Sequence, residues 1–268
     1  MPIKLIAMDI DDTLLNNKMK ITFRNRLAIK RAAKKGIHIA LASGRPTGSM
    51  IEIAKQLGIE KTGYIISFNG ASILELSTGK NLYQSAVNKE LAHELIDLSK
   101  EHDVYIHTYL DNHIITEKRN KYTEIESEIT GLSIREVSSL KDMVTQSVVK
   151  LLMLENPDRL KIVESQLKSR IGDRLSMYIS KPFFLEFMGA GTDKGNSLSI
   201  LADILNIKQN EVMAIGDSYN DQAMIEWAGV GVAMDNANAD IKKIADHITG
   251  HHNKSGVAEA INKFCFAK

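Results

Sequence analysis

Leu5 to Met8, followed at once by Asp9-Ile10-Asp11-Asp12-Thr13, is the stretch that most restricts what this chain can fold into. Four apolar residues between polar ones are too few for a helix and read as a strand buried on both faces, the kind found in parallel sheets covered by helices. Three acids within four residues at its carboxyl end predict a site there, because charge beside a core strand is costly unless compensated. If the extended geometry continues, Asp9 and Asp11 project into one space while Ile10 turns back into the protein. Two carboxylates about 4 Å apart repel by about 4 kcal/mol at an effective dielectric near 20, so the pair calls for a cation or a shared proton. An Asx turn opening an ordinary loop is the plain alternative for these residues alone.

The same texture recurs at both ends of the chain. Thr22 to Lys35 has helical spacing and stops at Gly36, Ile37 to Ala42 is a second buried strand, Ser49 to Leu57 is a helix closed by Gly58, and Tyr64 to Ser67 is a third strand. From 189 the alternation returns: helix Lys194–Leu205, strand Glu211–Ile215, helix Asn220–Ala228, strand Gly229–Ala233, and helices at Ala237–Ala245 and Ser255–Phe264. Between them the pattern changes to a helix at Lys89–Glu101, strands at Val104–Thr108 and His113–Thr116 around Asp111-Asn112, a strand at Val148–Leu154, a helix at Pro157–Arg170, and paired strands at Leu175–Ile179 and Phe184–Phe187. The expectation is an α/β core built from residues 1–82 and 189–268, with an α+β domain, 83–188, inserted into it. In such sheets ligands sit at the carboxyl ends of the strands.

Bulk composition narrows the function classes. Lys plus Arg number 34 against 33 Asp plus Glu, so no overall field recruits nucleic acid or an anionic membrane. The one cysteine, Cys265, excludes an internal disulfide and fits a reducing compartment, the cytoplasm. The chain passes from Met1-Pro2-Ile3-Lys4 straight into the first strand, and no apolar run has membrane-spanning length, which predicts neither a leader nor a span.

Three further constellations fall at strand ends. In Ser43-Gly44-Arg45, Gly44 lets the backbone approach a ligand and the Ser43 hydroxyl can donate to a phosphate oxygen; Ser43 or Thr47 as a helix N-cap is the alternative. In Gly191-Thr192-Asp193-Lys194-Gly195 a lysine opens a helix, where a cation opposes the macrodipole unless it faces an anion; a solvated lysine is the other reading. In Gly216-Asp217-Ser218-Tyr219-Asn220-Asp221 two acids stand one helical turn apart with an amide between them, more than a cap requires. Asp9, Asp11, Asp217 and Asp221 thus form an oxygen-only acidic set with Ser43, Lys194 and Asn220 as phosphate donors, which suits Mg²⁺. His107, Arg119, Lys181 and Glu186 of the insertion are candidate readers of hydroxyl groups, though each also fits an ordinary structural place. His251-His252 reads as a solvated pair before a helix, and Trp227 as core.

Taken in order, Asp9-x-Asp11-x-Thr13, Ser43, Lys194 and Gly216-Asp217-x-x-Asn220-Asp221 resemble the four motifs of the haloacid dehalogenase superfamily. The insertion between the second and third motifs resembles that of the Cof-type phosphatases, and Ser180–Phe187 with Ala214–Asp217 and Ala228–Met234 is similar to their YidA-like sugar phosphatase branch. The resemblance implies a Rossmann-like core with an inserted cap of type C2 that sets substrate choice. It implies that Asp9 is the nucleophile forming an aspartyl phosphate and Asp11 the general acid and base. It also implies that Mg²⁺ is held by Asp9, the Asp11 carbonyl and Asp217 with Asp221 in support, and that Ile10, Ser43, Gly44, Lys194 and Asn220 hold phosphate. The implied activity is Mg²⁺-dependent hydrolysis of small phosphorylated metabolites, above all sugar phosphates. A phosphomutase of the same superfamily and a phosphate-sensing module without turnover are the rivals. Asp12 departs from the glycine frequent at that place, and Asp tolerates the unusual backbone angles such a position demands.

Overall fold

Residues 2–266 are described by the computed structural model, and its centre is β1 (Leu5–Met8), whose four side chains are all 0 % exposed. The chain continues through α1 (Phe23–Lys34), β2 (His38–Ala42), α2 (Thr47–Leu57) and β3 (Gly63–Ser67), then β4 (Ser72–Glu75) and β5 (Lys80–Gln84). Next come α3 (Lys89–Glu101), β6 (Tyr105–Leu110), β7 (His113–Thr116), α4 (Lys121–Thr130), β8 (Ser133–Glu136), α5 (Leu140–Met143), β9 (Leu151–Leu154), α6 (Pro157–Ile171), β10 (Leu175–Lys181) and β11 (Phe184–Gly189). The last part holds α7 (Lys194–Ile204), β12 (Val212–Gly216), α8 (Gln222–Trp227), β13 (Val230–Ala233), α9 (Ala239–Ile244), β14 (His247–Ile248) and α10 (Gly256–Cys265).

Two compact units result, one of Met1–Tyr83 with Asp193–Lys268 and one of Gln84–Thr192. The first holds a sheet in the order β14-β13-β12-β1-β2-β3-β4-β5, parallel from β14 to β3. Period-two alternation divides β1 between two cores. Ile6 and Met8 join Ile39, Leu41, Met213 and Ile215 under α1, α2 and α10, while Leu5 and Ala7 join Ala40, Ala42, Val212 and Ala214 under α7 and α8. Each large side chain so buried contributes about 1.5–3 kcal/mol. Because β1, β2 and β12 run in register side by side, their carboxyl ends, and hence Asp9, Ser43 and Asp217, come out along one edge.

In the second unit a six-stranded sheet has the order β10-β11-β9-β6-β7-β8, antiparallel except between β7 and β8. One face is packed with apolar side chains of α3, α5 and α6, among them Leu95, Leu140, Leu160 and Leu167 against Ile106, Met153 and Phe187.

Helix boundaries follow the expected chemistry. The Thr22 side chain accepts from the Asn25 amide to open α1, and Gly58 closes α2 in the left-handed conformation at φ 69°. Asn220 does not open a helix: Tyr219–Asp221 form a short 3₁₀ turn, and α8 starts only at Gln222. Four strands have no counterpart in the sequence reading. β5 and β8 are mostly exposed and lack the apolar alternation that marks a half-buried strand, β4 is only half covered, and β14 is two residues long.

Candidate active site

β1 stops at Met8, so strand alternation does not carry on through the acids. Asp9 is still extended (φ −69°, ψ 163°), but Ile10–Leu14 wind into a short turn in which Asp12 is left-handed at φ 58°, ψ 9°. The aspartate at this place therefore takes the backbone conformation expected of it. The expectation that Asp9 and Asp11 share one space is corrected here. Arg45 grips the Asp11 carboxylate with two bonds, Nε to Oδ2 at 2.8 Å and Nη2 to Oδ1 at 2.6 Å, whereas Asp9 turns to Lys194.

Lys194 is 0 % exposed, and its Nζ donates to Oδ1 of Asp9 and to Oδ1 of Asp221, both at 2.6 Å. The lysine at the start of α7 thus faces anions, but those anions are side chains of the protein itself. Burial disfavours its charge, yet the two carboxylates outweigh that and raise its pKa. Gly195 lets the helix come this close, since a Cβ there would lie 2.5 Å from the Ala223 carbonyl group.

Asp221 is fully buried and committed at both oxygens. Oδ1 takes Lys194, and Oδ2 accepts the amides of Asp217 at 2.9 Å and Ser218 at 3.1 Å. Gly216 makes room for it, because a Cβ would sit 2.5 Å from the Asp221 carboxyl carbon. Asp217 is half-buried and accepts the Thr13 hydroxyl at 2.8 Å.

Electrostatics mark the cluster. Oxygens of Asp9, Asp217 and Asp221 lie within 4.8 Å of one another. Burial above all, with the neighbouring carboxylates, raises the Asp9 pKa against the pull of Lys194, and the same causes push Asp217 up to about 7. One lysine therefore does not balance three acids, and a donor set of carboxylates alone fits a hard divalent ion such as Mg²⁺.

The remaining expected residues divide. Ser43 is 2 % exposed at the end of β2; its amide donates to the Ile66 carbonyl at 2.9 Å and its Oγ accepts the Arg45 amide at 3.2 Å. Gly44 lies against Asn69, whose Nδ2 would be 3.0 Å from a Cβ there. Asn220 is exposed, and its Nδ2 donates to Asn69 Oδ1 at 3.1 Å. Ile10 is buried directly after Asp9. Sequence reasoning missed roles for Arg45, Thr13 and Asn69. Asn69 carried a signal, a polar residue in a turn at the end of β3.

Two further readings change. His252 is 3 % exposed, not solvated, and its Nδ1 lies 3.4 Å from Asp12 Oδ1. In the inserted unit, Arg119 and Lys181 are exposed, but His107 and Glu186 are buried on the face of the sheet that the apolar helices leave. There Lys150 Nζ is 3.2 Å from Glu186 Oε2, the Tyr109 hydroxyl bonds Glu126, and His107 stacks edge-on to Tyr109 with both ring nitrogens unpartnered. Burial and the Lys150 charge lower the His107 pKa to about 3.

The family model of haloacid dehalogenase-like hydrolases matches residues 6–261. A Streptococcus pyogenes protein provisionally named a phosphatase is 35% identical over 98% of this chain and 99% of its own length. A Bacillus subtilis protein named 5-amino-6-(5-phospho-D-ribitylamino)uracil phosphatase is 31% identical over 97% of this chain and 94% of its own. A crystal structure described as a haloacid dehalogenase-like hydrolase from Bacteroides thetaiotaomicron superposes with a TM-score of 0.91 at 37% identity, covering 97% of this chain and 99% of that one.

Proposed function

The chain belongs to the haloacid dehalogenase-like hydrolases and is a phosphatase of phosphoric monoesters, and on that premise we propose that it uses Asp9 as nucleophile and Mg²⁺ as cofactor to hydrolyse small sugar-phosphate-like metabolites. The observation that carries this reading is the buried Asp9 carboxylate, tied to Lys194 and within 4.8 Å of Asp217 and Asp221.

An Asp9 oxygen attacks phosphorus, the bond from phosphorus to the ester oxygen breaks, and its electron pair leaves with that oxygen. Asp11 gives the departing oxygen a proton. In the second step Asp11 takes a proton from water as the water attacks phosphorus, and the bond to Asp9 breaks to release phosphate. The separate placing of the two acids supports this division, since Asp9 is held by Lys194 while the Asp11 side chain is 45% exposed on Arg45. Asp9, the Asp11 carbonyl and Asp217 would hold Mg²⁺, with Asp221 orienting Lys194 and the loop after β12. When bound, the ion supplies positive charge that lets an anionic oxygen meet an anionic phosphate. Ser43, the amides of Ile10 and Gly44, Lys194 and Asn220 would steady the phosphoryl oxygens, where charge spreads.

We assign substrate choice to residues 83–188 as a cap. The buried polar groups His107, Tyr109, Lys150 and Glu186 supply both donors and acceptors, which supports a hydroxylated leaving group. So does the phosphorylated ribityl chain in the name of one relative. Among the described residues no helix is long and apolar enough to cross a membrane, and the single cysteine supports a cytoplasmic setting.

The test is release of inorganic phosphate from a panel of phosphate esters, with Mg²⁺ and with chelator. Magnesium-dependent release, greatest with sugar phosphates, is expected. Release unaffected by chelator would remove the ion from the scheme, and transfer of phosphate to a second sugar without release would indicate a mutase.

A further inference from the structure

The turn that carries Asp11 is braced from behind by a polar network that no catalytic step above uses. Asn236 Nδ2 donates to the Asp12 carbonyl at 2.7 Å, and its Oδ1 accepts the His252 amide at 3.0 Å. Both ends of that amide are thereby fixed. Asn253 Oδ1 accepts the Asn17 amide at 3.0 Å, which leaves its Nδ2, a donor only, 3.1 Å from His252 Nε2. His252 Nε2 must then accept, so the ring is neutral and its proton sits on Nδ1.

Nδ1 of His252 lies 3.4 Å from Asp12 Oδ1 in a side chain only 3 % exposed, and the ring also interacts with the backbone of Leu15, which closes the same turn. Asp12 is also the left-handed residue of the turn, at φ 58°. Asp12, the residue after Asp11, is thus held at its carbonyl by Asn236 and packed at its side chain against His252.

We infer that His252, with Asn236, is a positioning residue that sets the direction of Asp11 as general acid by fixing Asp12. The inference rests on the reading of Asp11 given above. Its signature is a dependence on the leaving group: an alkoxide needs the proton from Asp11, whereas 4-nitrophenolate leaves without it.

The experiment compares kcat/KM, which reports the steps up to phosphoenzyme formation, for glucose 6-phosphate and for 4-nitrophenyl phosphate. The enzymes are the parent, His252→Phe, His252→Asn, Asn236→Ala and Asp11→Asn. Misplacing the acid by a fraction of its reach lowers kcat/KM for the sugar ester by about ten- to a hundredfold in His252→Phe and Asn236→Ala, with the nitrophenyl ester within about twofold of the parent. His252→Asn, which keeps a donor near the place of Nδ1, stays near the parent on both. Equal losses on the two esters, or none, would overturn the inference, and Asn236→Ala keeps the test alive if His252→Phe does not fold. An Asp11→Asn enzyme that loses equally on both esters would instead overturn the acid role of Asp11.

Discussion

Nζ of Lys194 and Oδ1 of Asp9 are 2.6 Å apart, in a place where the lysine is 0 % exposed. The same nitrogen binds Asp221 at 2.6 Å, so one cation without water joins the end of β1 to the turn after β12. Attraction between such groups is strong because little solvent screens it, and removing either sign leaves the other stranded.

Lys194→Met is therefore expected to cost both stability and activity. Breaking a buried ion pair from one side costs about 3–5 kcal/mol, to be read from urea denaturation at neutral pH. Activity on any phosphate ester should fall by at least about a hundredfold, because a charge next to the transferring group is lost along with the posture of Asp9. Wild-type stability in the variant would mean that the two carboxylates are already neutral.

The raised carboxyl groups set a pH dependence whose sign is opposite to that of a salt-bridged acid. Asp217, at about 7 when folded against about 4 when unfolded, binds a proton between those values that the unfolded chain does not. Its contribution is full below pH 4 and is lost as pH rises through 7; Asp9, also raised, acts in the same direction. In chelator, the melting temperature should fall from pH 5 to pH 8, and less steeply in Asp217→Asn. Added Mg²⁺ should raise the melting temperature most at the alkaline end, where the ligands are ionised. A melting temperature that rises with pH in chelator would contradict the assignment.

Much of this was legible in the residues. Leu5–Met8 announced a central strand, because an unbroken apolar run flanked by polar residues has few other places to go. Asp9, Asp217 and Asp221 met because parallel register carries neighbouring strand ends to one edge. The partner of Asp11 was not legible. Arg45 reaches it across 34 residues, and side-chain pairing at that separation leaves no periodicity to read. His252 was hidden for a like reason: its burial comes from packing against the turn at Asp12, while its sequence neighbours are polar. Edge strands such as β8, with only Ile134 half-covered, carry almost no apolar signal because solvent takes most of their side chains.

Gly216→Ala tests the second anchor of the site. The added methyl carbon would meet the Asp221 carboxylate at 2.5–2.7 Å, and the backbone of β12 is fixed by strands on both sides. Asp221 must then give up its bonds to the Asp217 and Ser218 amides. A loss of about 1–3 kcal/mol in stability is expected from the overpacking. Mg²⁺ affinity, measured by titration calorimetry, should fall with it, and unchanged affinity would show that Asp221 has no part in orienting Asp217.

Lys150 and Glu186 offer the corresponding test in the inserted unit. Their side chains are 4% and 7% exposed and 3.2 Å apart, on the sheet face opposite the apolar helices. Glu186→Leu removes one of the two carboxylates that face the buried Lys150 ammonium, Glu126 being the other, and a loss of about 1–3 kcal/mol is expected in chemical denaturation. If this row reads hydroxyl groups, KM for glucose 6-phosphate should rise several-fold while KM for 4-nitrophenyl phosphate, which has no sugar to read, stays put. Equal changes in both would leave Glu186 a structural role alone, since a loosened fold cannot tell the two leaving groups apart.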